Sequence, residues 1–235
     1  MTDDTQRLSR QLGLKFNNPA LLVNALTHRS ASGTNNERLE FLGDGALNFI
    51  IASALYERKP ECDEGSLSRL RANLVRGVTL SEIARDLKLG DYLNLGTGEL
   101  KSGGFRRDSI LADAVEAIIG AVYLDAGFAA CQAFVLRLFK TRLDNLPEPE
   151  ELVDPKTRLQ EYLQGHQLPL PNYNTLQVSG KSHAQTFLVE CAIPALGQRT
   201  EATASSRRKG EQAAARAMLD IVLSLSPKPI DSKGP

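Results

Sequence analysis

Asn36-Glu37-Arg38-Leu39-Glu40-Phe41-Leu42-Gly43-Asp44-Gly45-Ala46-Leu47-Asn48-Phe49-Ile50-Ile51 carries acids where a protein core is expected. Glu37, Glu40 and Asp44 recur three and four residues apart, hence on one helical face, and the helix then becomes almost wholly apolar. A second stretch, Ile110 to Leu124, repeats the pattern: Asp113 and Glu116 are its only charged residues, one helical turn apart. A helix apolar nearly all round is a buried helix. Ionised carboxylates there cost on the order of several kcal/mol each unless something compensates. Two readings follow. If the helices face each other, up to five carboxylates converge and call for hard cations such as Mg²⁺ or Mn²⁺, which take oxygen ligands. Alternatively, the acids pair with buried arginines, Arg38 or Arg71 for instance, as structural bridges.

Outward from these helices, the pattern stays helical from Asn17 to about Asn145, as in Pro19 to Leu26, Leu80 to Leu87 and Cys131 to Leu143. Its character changes at Leu146-Pro147-Glu148-Pro149-Glu150-Glu151-Leu152-Val153-Asp154-Pro155. Three prolines and repelling glutamates predict an extended linker rather than a surface loop within one domain. Beyond it, Lys156 to Gln164 reads as a helix. Tyr173–Val178, Ala184–Cys191 and Arg199–Ala204 read as strands, with Gly180 and Gly197 at turns. Ser205-Ser206 can cap a last helix from Arg207 to Leu223. Helix, three strands, helix makes a compact α+β domain after an all-α one. The proline-rich tail, 225–235, is expected to be disordered.

The composition, 42% hydrophobic and 24% charged, is that of a globular protein and excludes general disorder. The formal charge is zero, with 28 basic and 28 acidic residues, which taken whole offers nothing to nucleic acid. The sum hides a division. Residues 1–150 carry 18 basic against 20 acidic residues, whereas residues 155–223 carry 8 against 5. Cys62, Cys131 and Cys191 lack CxxC spacing, and His28, His166 and His183 form no HxxxH pair, which argues against disulfides and histidine-ligated zinc. The acidic start resembles no secretory signal, and no uninterrupted apolar run reaches membrane-spanning length, so a cytoplasmic protein without a membrane partner is expected.

The stretch Asn36 to Asp44 resembles the signature of the ribonuclease III family. The resemblance continues through Asp63-Glu64-Gly65, Gly98-Glu99-Leu100-Lys101-Ser102-Gly103-Gly104-Phe105-Arg106-Arg107 and Asp113-Ala114-Val115-Glu116-Ala117. It spans roughly residues 5–225 and is of the bacterial, proteobacterial type. It implies a nuclease domain at 5–145, a linker at 146–154 and a double-stranded-RNA-binding domain at 155–224. The implied activity is endonucleolytic hydrolysis of double-stranded RNA, leaving 5′-phosphate and 3′-hydroxyl ends, in processing of ribosomal RNA precursors and other structured transcripts. By position, Glu40, Asp44, Asp113 and Glu116 match metal-binding carboxylates, with Asp44 and Glu116 strongest as catalytic residues. Glu37 and Glu64 match acids that support the cleavage site. For Glu64, composition alone favours a helix-dipole role at a helix start. The resemblance further implies Mg²⁺, with Mn²⁺ able to substitute, no small-molecule cofactor, and a homodimer into whose partner Phe41 plugs. Since all six acidic positions hold acids, cleavage is expected rather than RNA binding alone.

A-form duplexes are read through shape, 2′-hydroxyls and phosphates. Thr157, Gln160 and Glu161 share a face of the small domain's first helix and suit a minor groove. His183, in Gly180-Lys181-Ser182-His183, suits the next one, and Arg207, Arg208 and Lys209 place cations beside helical N–H groups that favour phosphate. Gly210 stands where the family suggests alanine and predicts a locally weakened helix.

Overall fold

The computed structural model describes residues 3–181 and 184–225, which form two compact units divided between Pro149 and Glu150. The first is all-helical: α1 (Asp3–Gln11), α2 (Pro19–Ala25), α3 (Glu37–Arg58), α4 (Glu64–Val75), α5 (Gly77–Asp86), α6 (Thr97–Lys101), α7 (Asp108–Leu138) and α8 (Lys140–Asp144). Its core is built on α3 against α7. Leu47, Ile50, Ile51 and Leu55 bury one side of the interface, and Leu111, Val115, Ile118 and Ile119 the other. By length and composition each helix is apolar enough to cross a membrane, although acids interrupt both runs. The two stretches read as separate helices, from Ile110 and from Cys131, join in α7 across a break at Gly127, whose φ of 78° suits glycine.

Glycine also sets how closely α3 and α7 cross. A Cβ on Gly43 would lie 1.8 Å from the Glu116 carbonyl oxygen, and one on Gly120 would lie 2.2 Å from that of Leu39. Backbone therefore meets backbone at the level of the acids.

The second unit holds α9 (Pro155–Gly165), β1 (Asn172–Ser179), β2 (Thr186–Ile193), β3 (Gln198–Ala204) and α10 (Arg207–Leu225). The strands form an antiparallel sheet in the order β1-β2-β3, with Val189 opposite both Thr175 and Ala202 and a register shift between Thr175 and Gln177. Leu159, Leu163, Cys191, Ile193, Ala214, Met218 and Val222 make its core. Pro at the first turn and the Asp154 carboxylate, accepting from the Lys156 N–H at 2.9 Å, start α9. Gly180 and Gly197 have the positive φ expected of turns, 91° and 62°. Within the stretch expected to be extended, Pro149–Leu152 forms a 3₁₀ turn. Of the expected tail, Leu225 still belongs to α10, and 226–235 lie outside the described residues.

Candidate functional site

The helix crossing brings acids of distant sequence together. Carboxylate oxygens of Glu40, Asp113 and Glu116 lie within 4.8 Å of one another, each side chain half-buried. Burial first, then the charges of Asp44, Glu40 and Asp113, push the Glu116 carboxyl up to about 8. Burial also raises Glu40, reinforced by Asp113, Glu37 and Asp44. Asp113 is raised by burial too, against the opposing influence of His28 and Arg29. These acids repel one another, so the arrangement lacks a countercharge. The donors are all carboxylate oxygens, which is the set a hard divalent cation takes. The cluster is compatible with such an ion.

The structural-bridge reading fares worse. Among the described residues neither Arg38 nor Arg71 forms an ion pair with these acids; the pairing cation is Arg29, 3.5 Å from exposed Glu37. Glu37, Glu40 and Asp113 border a cleft of about 710 Å³ that His28, Arg29, Glu99 and Arg107 also line. Arg107 is itself paired to Glu99 at 2.8 Å.

The second unit presents a different face. Thr157, Gln160 and Glu161 are exposed along α9, and Arg207, Arg208 and Lys209 are exposed at the start of α10. The Lys209 N–H donates to Ser206 Oγ at 3.3 Å, so Ser206 caps the helix as expected. Arg207 donates through Nε to Glu211 at 2.9 Å, whereas no ion pair holds Arg208 or Lys209 among the described residues.

A family model described as Ribonuclease-III-like matches residues 18–143, and one described as Double-stranded RNA binding motif matches residues 155–222. The chain belongs to the ribonuclease III family. The protein called Ribonuclease 3 from Hahella chejuensis is 60% identical over 93% of this chain and 97% of its own length. That of Pasteurella multocida is 56% identical over 94% and 99%. Among solved structures, the nuclease domain of ribonuclease III from Campylobacter jejuni is 39% identical, with a TM-score of 0.59, covering 62% of this chain and all of its own. A second structure of that domain, described for flexibility in a region involved in dimer formation, is 41% identical over 60% of this chain and 99% of its own, with a TM-score of 0.58.

Against the ribonuclease III pattern, the structure groups three of the four expected metal-binding acids tightly. Asp44 lies on the same helix, close enough to perturb Glu116, but it is exposed and its Oδ1 accepts from Asn48 at 2.7 Å. Glu64 stands apart at the first turn of α4, exposed, accepting from Ser68 Oγ at 2.8 Å. Phe41 is 82% exposed and borders, with Phe49, Tyr123 and Phe128, an apolar groove beside Asp44. His183 lies outside the described residues. The cations His28, Arg29 and Arg107 were not singled out from sequence as site residues; their one available signal was that Arg107 closes the quoted run Gly98 to Arg107. Gly210 is not simply a weak helix former: a Cβ there would lie 2.6 Å from Val189 Cγ2, so glycine permits α10 to lie close on β2.

Proposed function

We infer that this chain hydrolyses phosphodiester bonds of double-stranded RNA at the α3–α7 carboxylate cluster, with divalent cations, leaving 5′-phosphate and 3′-hydroxyl ends. The observation that carries this reading is the convergence of Glu40, Asp113 and Glu116 without a countercharge. Glu40, Asp113 and Glu116 would hold the ion, and Asp44 would complete their charge from the exposed side. A cation of the Mg²⁺ class, with Mn²⁺ as substitute, supplies a lowered pKa for water and positive charge for the oxygens that become anionic during displacement at phosphorus. The chain itself orients the substrate. Arg29 and Arg107 line the cleft wall where a phosphate backbone would pass, and Glu37 and Glu99 keep those guanidinium groups in place. Glu64 would act from the cleft's surroundings. No side-chain nucleophile is required.

In this reading Thr157, Gln160, Glu161 and His183 meet minor grooves, and Arg207, Arg208 and Lys209 meet phosphates. The exposed apolar patch around Phe41 supports a homodimer, one cluster per subunit. Ribosomal RNA precursors and other structured transcripts are the substrates the family membership suggests, in the cytoplasm. The deciding experiment is incubation with a defined RNA duplex in Mg²⁺ and in EDTA, followed by end-group analysis. Cuts only in Mg²⁺, with 5′-phosphates, are expected; metal-independent cuts or 3′-phosphate ends would overturn the proposal.

A further inference from the structure

Three cations at the first turn of α10 sit at the positive end of its macrodipole, an unfavourable place for them. The residue that answers them is Glu211, whose side chain is only 14% exposed. Its Oε1 accepts from Arg207 Nε at 2.9 Å, and its Oε2 accepts from Lys156 Nζ at 2.6 Å. Lys156 lies at the start of α9, beside the exposed face of Thr157, Gln160 and Glu161, and its ammonium also rests 4.4 Å from the centre of the Tyr173 ring. A second link runs parallel: Gln212 Nε2 donates to Asp154 Oδ2 at 2.6 Å, joining the next residue of α10 to the N-cap of α9. The hydrogen bond from Lys156, opposed by burial and assisted by Arg207, holds the Glu211 carboxyl below its ordinary range. One anion thus braces the starts of the two helices whose exposed residues face outward.

We propose that Glu211 is a positioning residue for duplex recognition: by gripping Arg207 and Lys156 together, it fixes the distance between the minor-groove face of α9 and the phosphate-facing start of α10. The inference rests on the reading of the second unit as the RNA-binding part. Its physical content is preorganisation. Two patches held at one separation meet a regular A-form helix without ordering long side chains on contact.

The sign of one substitution tests this. Glu211→Gln raises the net charge by one, so charge alone would tighten binding to RNA and steepen its salt dependence. Positioning demands the opposite. With the full chain in EDTA, where the duplex stays intact, Glu211→Gln should weaken affinity by about tenfold, the scale of one lost charge-assisted contact. The slope of log affinity against log salt should flatten by about one phosphate contact. Arg207→Lys provides a second test should Glu211→Gln unfold. It keeps the charge but loses the Nε grip on Glu211, and it should weaken binding severalfold while the melting temperature holds. Tighter or unchanged binding by Glu211→Gln, or parental affinity in Arg207→Lys, overturns the proposal. So does weakening with an unchanged salt slope, which would mark mere loss of stability. Arg208→Ala separates the layers: weaker binding there with no effect at Glu211 rejects the brace alone, whereas no effect at either rejects the RNA-binding reading beneath it.

Discussion

The nuclease unit and the RNA-binding unit both bury carboxylates, yet they treat them in opposite ways. In the first, Glu40, Asp113 and Glu116 face one another and their protons are held more tightly than usual, chiefly because of burial. In the second, Glu211 is lowered, led by its hydrogen bond from Lys156. Burial opposes ionisation of Asp154, but hydrogen bonds from Gln212 and the Lys156 N–H, with the charges of Arg208 and Lys156, leave it lowered as well. The same residue types therefore carry different information. A carboxylate already gripped by cations has a structural or positioning task. A carboxylate pressed against others of its kind marks a place where the protein depends on something it does not itself contain.

The harshest way to break this contrast is to part the helices that create the acidic cluster. Gly43→Ala places a methyl against the Glu116 carbonyl, so cleavage should vanish and thermal unfolding should report a loss of about 3 kcal/mol or more, at the upper end of overpacking costs. A variant that melts like the parent would show that the crossing is looser than described. Next comes removal of one charge without moving the backbone. Glu116→Gln should reduce cleavage in Mg²⁺ by about a thousandfold, the scale of losing one electrostatic stabiliser, while duplex affinity in EDTA stays at the parental value. Near-normal turnover would remove Glu116 from the centre.

A gentler test uses pH and sharpens the comparison. Glu116 holds its proton up to about 8 in the folded, metal-free protein, against an ordinary value of 4.5. A raised value contributes stability that is complete below 4.5 and is lost as pH rises through about 8. Asp154 and Glu211, being lowered, contribute stability present above their ordinary 3.8 and 4.5 and lost as pH falls below those values. Hydrogen exchange in EDTA should therefore show α3 and α7 loosening toward pH 8, and α9 and α10 loosening toward acid. Divalent metal should reverse only the former. If both units lost protection in the same direction, the opposed electrostatics would be refuted. The smallest expected effect is at Gly210→Ala. The gain in helix propensity, about 1 kcal/mol, is set against a clash with Val189, for a net loss of about 1 kcal/mol. In a Val189→Ala background the same change should stabilise.

Much of this architecture can be read from residues alone, because period and polarity determine which helices are buried. Asp113 and Glu116 declare themselves as acids in an apolar helix, and the order helix, three strands, helix follows from turns at Gly180 and Gly197. What cannot be read is what meets across space. Arg29 and Arg107 come from segments outside the two acidic helices and reach the cleft only through the packing of α2, α6 and α7. Glu37, Glu40 and Asp44 share a helical face by spacing, but rotamer and neighbour decide that Glu40 turns to Asp113 while Asp44 is held by Asn48. The grip of Glu211 on Lys156 joins residues 55 positions apart, and nothing local foretells it. Gly43 and Gly120 were visible as residues, but their purpose needed the crossing.

That crossing has one more consequence. Side chains that bridge two helices can usually be accommodated by small shifts of soft packing, but carbonyl against glycine leaves almost no slack. The opening between Glu40 on one side and Asp113 and Glu116 on the other is thus set by a main-chain caliper. Oxygen bonds to Ca²⁺ run about 2.3–2.6 Å against about 2.0–2.1 Å for Mg²⁺. A larger ion must therefore either displace two long helices or sit off-centre, and discrimination by ionic radius is inherited from two missing methyl groups.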